Sequence, residues 1–116
     1  MMDFWFEFGS TYSYLSVFRV PGLAAQAGVQ VRWRPFLLGP IFRDFGWGTS
    51  PFNVYPLKGE YMWRDMARLC RKYGQPFSRP SRFPQSALLP SRVALLGERE
   101  PWLPDFCLAV MKAEFS

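Results

Sequence analysis

The first forty residues change from a strand pattern to a helix pattern and back to a strand pattern. Residues 3–8 place an aromatic residue at every second position, which predicts a strand. Residues 15–27 space their apolar positions as in a helix that Gly28 closes, and residues 29–34 alternate again. Pro21 predicts a kink or a break into two helical pieces. The order strand, helix, strand predicts a parallel pair with a right-handed crossover.

Beyond residue 39 the pattern becomes irregular and then helical. Residues 39–56 are rich in Gly, Pro and aromatic residues without a sustained period, and we interpret them as a long functional loop. Residues 58–73 give the clearest helix, because their apolar positions form one stripe along it. Two more helices are predicted over residues 86–96, perturbed near Pro90, and over residues 105–115.

Composition indicates a single globular unit. Of the 116 residues, 49% are hydrophobic and 19% aromatic, which is ample for a core. No apolar run approaches the length of a membrane span and no secretion signal opens the chain, so we expect a cytoplasmic protein with no membrane association. The net charge of +5 suits anionic ligands, whereas the scattered basic residues argue against nucleic-acid binding.

The residue types that are absent exclude several kinds of chemistry. The chain has no histidine, which removes histidine-based nucleophilic catalysis and the commonest metal ligand. Its two cysteines, Cys70 and Cys107, lie far apart and outside any metal-binding or redox spacing. We therefore expect no metal site and interpret both cysteines as ordinary helix residues.

Ser10 follows the first strand directly and lies at the start of the predicted helix. Unpaired backbone N–H groups and the helix dipole favour negative charge at that position. Redox proteins of the thioredoxin fold carry Cys-x-x-Cys at this turn, whereas this chain has Ser10 and Ser13. Two hydroxyls cannot exchange disulfides, but they suit a thiolate supplied by a ligand. The alternative is that Ser10 or Ser13 is simply a helix cap.

Four ordered blocks, residues 4–15, 31–39, 51–65 and 82–85, resemble the 2-hydroxychromene-2-carboxylate isomerases and the related kappa-class glutathione transferases. The resemblance extends over essentially the whole chain. It implies an α/β fold, in which a thioredoxin-like, DsbA-like β-α-β start over residues 1–39 is followed by an all-helical insertion over residues 40–116. By the same resemblance we expect the chain to be truncated before the second half of the thioredoxin domain.

The resemblance also implies a site and a reaction. Ser10 is the expected catalytic residue, with its hydroxyl bonded to the glutathione sulfur, and Lys58 and Asn53 are expected to bind this cofactor. The reaction converts 2-hydroxychromene-2-carboxylate, a small aromatic carboxylate, to trans-o-hydroxybenzylidenepyruvate in aromatic degradation. A thiolate that adds, permits rotation and leaves again serves as a recycled cofactor. A homodimer is a possible assembly.

Each of these residue assignments has a structural alternative. Lys58 is also interpretable as a solvated residue of a first helical turn, and Asn53 as a turn residue between prolines. Tyr12, Trp47 and Tyr55 either line an aromatic pocket or belong to the core, and an aromatic-rich chain favours the core.

Three other functions stay open at this point. A kappa-class-like glutathione transferase fits the same motifs. An inactive fragment that acts as a binding or assembly module fits a truncated chain, and we expect little isomerase activity from 116 residues. A DsbA-like thiol-disulfide oxidoreductase is disfavoured, because Ser10 and Ser13 replace both thiols.

Overall fold

A computed structural model describes all residues from 1 to 116. The elements in chain order are β1 Met2–Phe6, α1 Thr11–Ala27, β2 Val31–Pro35, α2 Leu38–Asp44, α3 Pro51–Val54, α4 Pro56–Tyr73, α5 Leu88–Leu96 and α6 Leu103–Phe115. A β-α-β unit is thus followed only by helices, as the sequence predicted.

The two strands form a parallel pair. Their register runs from Met2 opposite Val31 to Phe6 opposite Pro35. On the core face, Trp33 meets the ring of Phe6 edge to face at a centroid distance of 5.6 Å. Contacts between aromatic residues on paired strands stabilise a sheet. The predicted parallel arrangement is confirmed.

Helix α1 runs without interruption through Pro21, so the predicted break into two pieces is wrong. A proline inside a helix removes one backbone hydrogen bond and costs about 3 kcal/mol in an isolated helix. Here tertiary packing offsets that cost, because Tyr14 and Val17 are completely buried and Ala24 is nearly so. Gly28 then ends the helix at φ 66°, a conformation in which glycine is favoured.

The predicted long loop over residues 39–56 is also wrong, because it contains most of α2 and all of α3. Helix α3 begins at Pro51, and the Ser50 hydroxyl caps it by accepting a hydrogen bond from the Phe52 N–H at 3.3 Å. Helices of seven and four residues are too short to reveal a helical period in the sequence.

The three predicted longer helices are confirmed with small changes in their bounds. Helix α4 ends at Gly74, which has a φ of 67°. Pro90 does not perturb α5, because it lies in the first turn, where the backbone N–H has no helical partner in any case. Gly59 permits close contact between α4 and α3, since a Cβ there would overlap the Phe52 carbonyl.

One hydrophobic core unites the strands with α1, α4, α5 and α6. It contains fifteen buried residues. They are Phe6, Phe8, Tyr14, Leu15, Val17, Trp33, Met62, Met66, Cys70, Ala87, Ala94, Leu103, Cys107, Met111 and Phe115. Both predicted segments contribute to this core, and the boundary between residues 39 and 40 stays a prediction.

The Tyr14 hydroxyl in the core is paired on both sides, and the two cysteines are buried. The Tyr14 hydroxyl donates to the Pro76 carbonyl at 2.5 Å and accepts from the Gln75 amide at 2.6 Å. Cys70 and Cys107 are free and buried in α4 and α6, and burial raises the pKa of both thiols. Their interpretation as ordinary helix residues is confirmed. None of the helices combines the length and apolarity required to cross a bilayer.

Candidate functional site

The turn between β1 and α1 places Ser10 at the N-cap of a 17-residue helix. The Ser10 Oγ accepts a hydrogen bond from the Ser13 N–H at 3.3 Å, which confirms its interpretation as a helix cap. A hydroxyl that accepts in this way still has its own hydrogen to donate. Capping and ligand binding are therefore compatible at Ser10.

Ser10 lines a small cavity of about 60 Å³, which we call the alcove. The β1–α1 turn supplies one wall of the alcove, through Glu7, Gly9, Ser10 and Thr11, and Phe52 lies on another. Its volume corresponds to about two water molecules at roughly 30 Å³ each. A single small group that enters the alcove therefore lies close to all of these residues.

Thr11 lies beside Ser10 in the alcove and has an unpaired hydroxyl. The residue is only 1% exposed, and its Oγ1 has no hydrogen-bond partner. A buried polar group without a partner costs about 1 to 3 kcal/mol. The unpaired N–H groups of the first turn of α1 make the alcove suitable for a ligand that accepts hydrogen bonds, and Thr11 lies in that turn.

A larger cavity of about 640 Å³ adjoins the alcove. Six residues line both spaces, namely Glu7, Leu38, Phe42, Ser50, Phe83 and Pro84. The larger cavity is also lined by Trp47 and by Arg43, which forms no salt bridge. A volume of this size is typical of small-molecule sites. An aromatic side chain and an unpaired cation suit an aromatic carboxylate.

Two acids interact at the β1–α1 turn, namely Glu7, which lines the alcove, and the partly buried Glu114. Glu7 is 7% exposed, and burial raises the pKa of its carboxyl to about 7 against the opposing effect of the Gly9 N–H. Glu114, on α6, has an Oε1 without a partner. Burial, together with the charge of Glu7, raises the pKa of Glu114 to about 7, and a backbone hydrogen bond at Gln85 opposes this rise.

Ser13 has a different role from Ser10. Its Oγ accepts a hydrogen bond from the Glu7 N–H at 3.2 Å, and the residue lines neither cavity. Ser13 therefore fixes the backbone of the turn from behind. Of the two serines, only Ser10 faces the alcove.

The other two predicted cofactor residues lie near the alcove but do not line it. Asn53 is exposed and donates through Nδ2 to the Thr49 hydroxyl at 3.1 Å and to the Phe83 carbonyl at 2.8 Å. Lys58 is exposed, with its Nζ 5.9 Å from the centre of the Phe52 ring. Asn53 thus ties α3 to the wall of the cavities, whereas the ammonium group of Lys58 stays free to meet a ligand.

The three aromatic candidates have separate positions. Tyr12 is exposed, and its hydroxyl donates to Asp65 at 2.7 Å. Trp47 lines the larger cavity. Tyr55 is 51% exposed, and its ring packs edge to face against the Trp47 ring at a centroid distance of 6.2 Å. The expectation that such residues belong to the core is wrong for Tyr12 and Tyr55, because they lie on the surface around the cavities.

Sequence analysis missed Glu7, Thr11 and Glu114. The alternation of the first strand places Glu7 on the solvent face, but β1 ends at Phe6 and the turn brings the carboxyl inward. A charged residue between two buried phenylalanines was the available signal. Nothing in the local sequence relates Glu114 to a turn more than a hundred residues earlier.

Comparison with known proteins adds three findings. Residues 1–112 match the DSBA-like thioredoxin domain family. A 2-hydroxychromene-2-carboxylate isomerase of Sphingobium xenophagum is 34% identical over 83 residues, which cover 71% of this chain and 42% of the relative. A solved structure of a 2-hydroxychromene-2-carboxylate isomerase superposes with a TM-score of 0.80 at 24% identity, covering 97% of this chain and 55% of that one.

The chain thus spans about half the length of the relatives that it matches. The structural likeness, at 24% identity, concerns the fold. It confirms the predicted thioredoxin-like fold class.

Proposed function

The chain belongs to the DSBA-like thioredoxin domain family, and from that membership we propose that it acts in the glutathione-dependent isomerisation of 2-hydroxychromene-2-carboxylate to trans-o-hydroxybenzylidenepyruvate. The relative from Sphingobium xenophagum that carries the isomerase name supports this assignment. The observation that carries it is Ser10, which lines the alcove at the N-terminus of α1 with a hydrogen free to donate, next to Thr11, whose buried hydroxyl has no partner.

Ser10 is the proposed catalytic residue. In the alcove the glutathione sulfur is a thiolate and accepts hydrogen bonds from Ser10, from Thr11 and from N–H groups of the first turn of α1. Hydrogen bonds to an anion at a helix N-terminus favour its charged form, so the pKa of the bound thiol falls. The thiolate then adds to the conjugated double bond of the substrate, permits rotation about the new single bond, and leaves.

The larger cavity provides the proposed substrate site. Trp47 offers an aromatic face and Arg43 a cation for the substrate carboxylate. Lys58, whose Nζ lies 5.9 Å from the centre of the Phe52 ring, is the proposed partner of a carboxylate of glutathione. Asn53 acts through Phe83, whose carbonyl it holds.

Oxidoreductase chemistry has no support, although the family name is that of a disulfide catalyst. Ser10 and Ser13 occupy the turn where thiols are required. The two cysteines lie in different helices, buried, with pKa values raised above the ordinary range, which is opposite to the acidified thiol of a redox site.

The experiment compares Ser10→Ala with Ser13→Ala. We follow the absorbance of the bound glutathione thiolate against pH, and the isomerisation of 2-hydroxychromene-2-carboxylate with and without glutathione. Ser10→Ala removes one charge-assisted hydrogen bond, worth roughly 1.5 to 3 kcal/mol, so the thiolate-dependent rate should fall about ten- to a hundredfold. Ser10→Thr keeps a hydroxyl at this position and should therefore retain the thiolate-dependent rate.

Ser13→Ala is the matched control, since it perturbs the same turn from the side away from the alcove. If Ser13→Ala abolishes the thiolate signal and Ser10→Ala does not, the catalytic serine is misassigned. If neither changes it, Ser10 is only a helix cap. Recovery of unmodified glutathione after turnover distinguishes an isomerase from a transferase, which would consume it.

A further inference from the structure

Glu7 is a buried acid placed where the proposed function requires an anion. It lines both the alcove and the larger cavity, and it forms no salt bridge. Its carboxyl lies 3.3 Å from the position that a Cβ would occupy at Gly9, the residue just before Ser10. An ionised Glu7 would repel a thiolate in so small a space. The site is consistent only if Glu7 is neutral while the thiolate is present.

We propose that Glu7 accepts the proton of the glutathione thiol as the sulfur enters the alcove and returns it when the thiol leaves. This inference rests on the proposed function, which supplies the thiol. Ser10 and Thr11 stabilise the thiolate, and Glu7 keeps the proton that the sulfur has lost.

The transfer balances within the alcove. The S–H bond breaks, its electron pair stays on sulfur, and the proton forms an O–H bond on the Glu7 carboxylate. The summed charge of thiol and carboxylate is minus one before and after the transfer, so no charge is added to a buried space. When the thiolate leaves the rotated product, it takes this proton back and glutathione departs as the thiol. No oxidant or further reactant is needed.

The surroundings of Glu7 give its carboxyl a proton affinity suited to this exchange. Burial raises the pKa of Glu7 to about 7, and a group that exchanges protons near neutrality is best placed between solution and a bound thiol. Glu114, from α6, is the like charge that interacts with it, and Arg43, from α2, is a cation on the wall of the larger cavity, which Glu7 also lines. Besides burial, the charge interaction between the two acids raises the pKa of Glu114, so ionisation of one acid disfavours ionisation of the other.

Calorimetry of glutathione binding tests the proposal directly. Titrations at pH 8, where Glu7 with its pKa of about 7 is mostly ionised before binding, use buffers with different ionisation enthalpies to count the protons released, and thiolate absorbance reports ionisation of the sulfur. The ligand control is S-methylglutathione, which lacks the S–H and measures proton exchange by every other group. In the parent chain we expect a thiolate signal with almost no release beyond that control, because Glu7 retains the proton.

Glu7→Gln removes the acceptor and keeps the shape of the side chain. We expect either about one proton released for each thiolate formed or loss of the thiolate signal at this pH, since the sulfur then has no internal acceptor. Glu114→Gln is the matched control, a second, partly buried acid made neutral. Glu114→Gln should release as many protons as the parent. The pH at which Glu7 is half titrated should be lower than in the parent, because a like charge has been removed.

The outcomes separate the two hypotheses, and the parent measurement alone is decisive even if a variant fails to fold. Absence of glutathione binding in the parent overturns the proposed function and this inference with it. Binding as a thiolate with about one proton released from the parent overturns the role of Glu7 and leaves the Ser10 site intact. An identical number of released protons in the parent and in Glu7→Gln also overturns the role of Glu7 and leaves the Ser10 site intact.

Discussion

Replacing Glu7 with Gln tests the buried acid through stability, without any ligand. Burial raises the pKa of Glu7 from its ordinary value of 4.5 to about 7 in the folded chain. Below about pH 4.5 both the folded and the unfolded chain hold this proton. As the pH rises towards 7, the unfolded chain releases it and the folded chain does not. The free energy of unfolding therefore falls across this window and becomes constant above it.

The magnitude follows from the same values. Each tenfold change in an ionisation constant is worth about 1.4 kcal/mol, which sets an upper limit of about 3 kcal/mol for Glu7. Because the carboxyl faces a cavity open to solvent, screening reduces this to about 1 to 3 kcal/mol. We therefore compare the free energy of unfolding of Glu7→Gln with that of the parent at pH 5 and at pH 8. The difference should shift by about 1 to 3 kcal/mol in favour of the variant between these two pH values.

Urea denaturation, followed by circular dichroism at several pH values, measures this change. The chain has no histidine, but burial also raises the pKa of Glu114 to about 7, so the difference between Glu7→Gln and the parent is used rather than the pH profile of the parent alone. Glu100→Gln is the matched control on the exposed surface, and its stability difference from the parent should not vary with pH in this way. If the difference between Glu7→Gln and the parent is the same at pH 5 and pH 8, Glu7 is not the buried acid described here.

Three further changes test the site and its support. Thr11→Val removes the unpartnered hydroxyl and keeps the branched shape, so urea denaturation should show a free energy of unfolding that is higher by about 1 kcal/mol. The pKa of the bound glutathione thiol should also rise. A loss of stability would mean that the hydroxyl has a partner. Gly59→Ala places a Cβ against a backbone carbonyl and should lower the free energy of unfolding by about 1 to 3 kcal/mol. Gly22→Ala, with open space around the new Cβ, should stabilise the chain. Equal effects would contradict the packing between α3 and α4. Lys58→Ala should weaken glutathione binding by about 0.5 to 2 kcal/mol in calorimetry, and an unchanged dissociation constant would make Lys58 a solvated surface residue.

The parts of the fold that depend on long, repeated patterns were predictable from the sequence. Helix α4 repeats its apolar stripe over 18 residues and ends at a glycine. The β-α-β start follows from two alternating segments around a helical one. Helices α2 and α3 were not predictable, because neither contains a buried residue that would mark an apolar face. The break predicted at Pro21 was wrong because tertiary packing of α1 overrides the local preference of proline.

Ser10 was predictable because its role depends on position along the chain, directly after a strand and before a helix. Glu7 and Glu114 were not, because their importance depends on burial. Alternation assigns Glu7 to solvent, and only the end of β1 at Phe6 turns the carboxyl inward. Glu114 reaches the site through the packing of α6 on α1, which no local pattern encodes.

Two residues that line the alcove carry polar groups without an ordinary partner. Thr11 lacks a hydrogen-bond partner and Glu7 lacks a cation, and both residues line this one small space, whereas the Tyr14 hydroxyl in the core is paired with Gln75. Each defect alone lowers stability. Together they are complementary, because a thiol that enters gives its proton to the acid and accepts a hydrogen bond from the hydroxyl. One ligand therefore satisfies both groups, and the free energy lost in the empty alcove is recovered when a thiol binds.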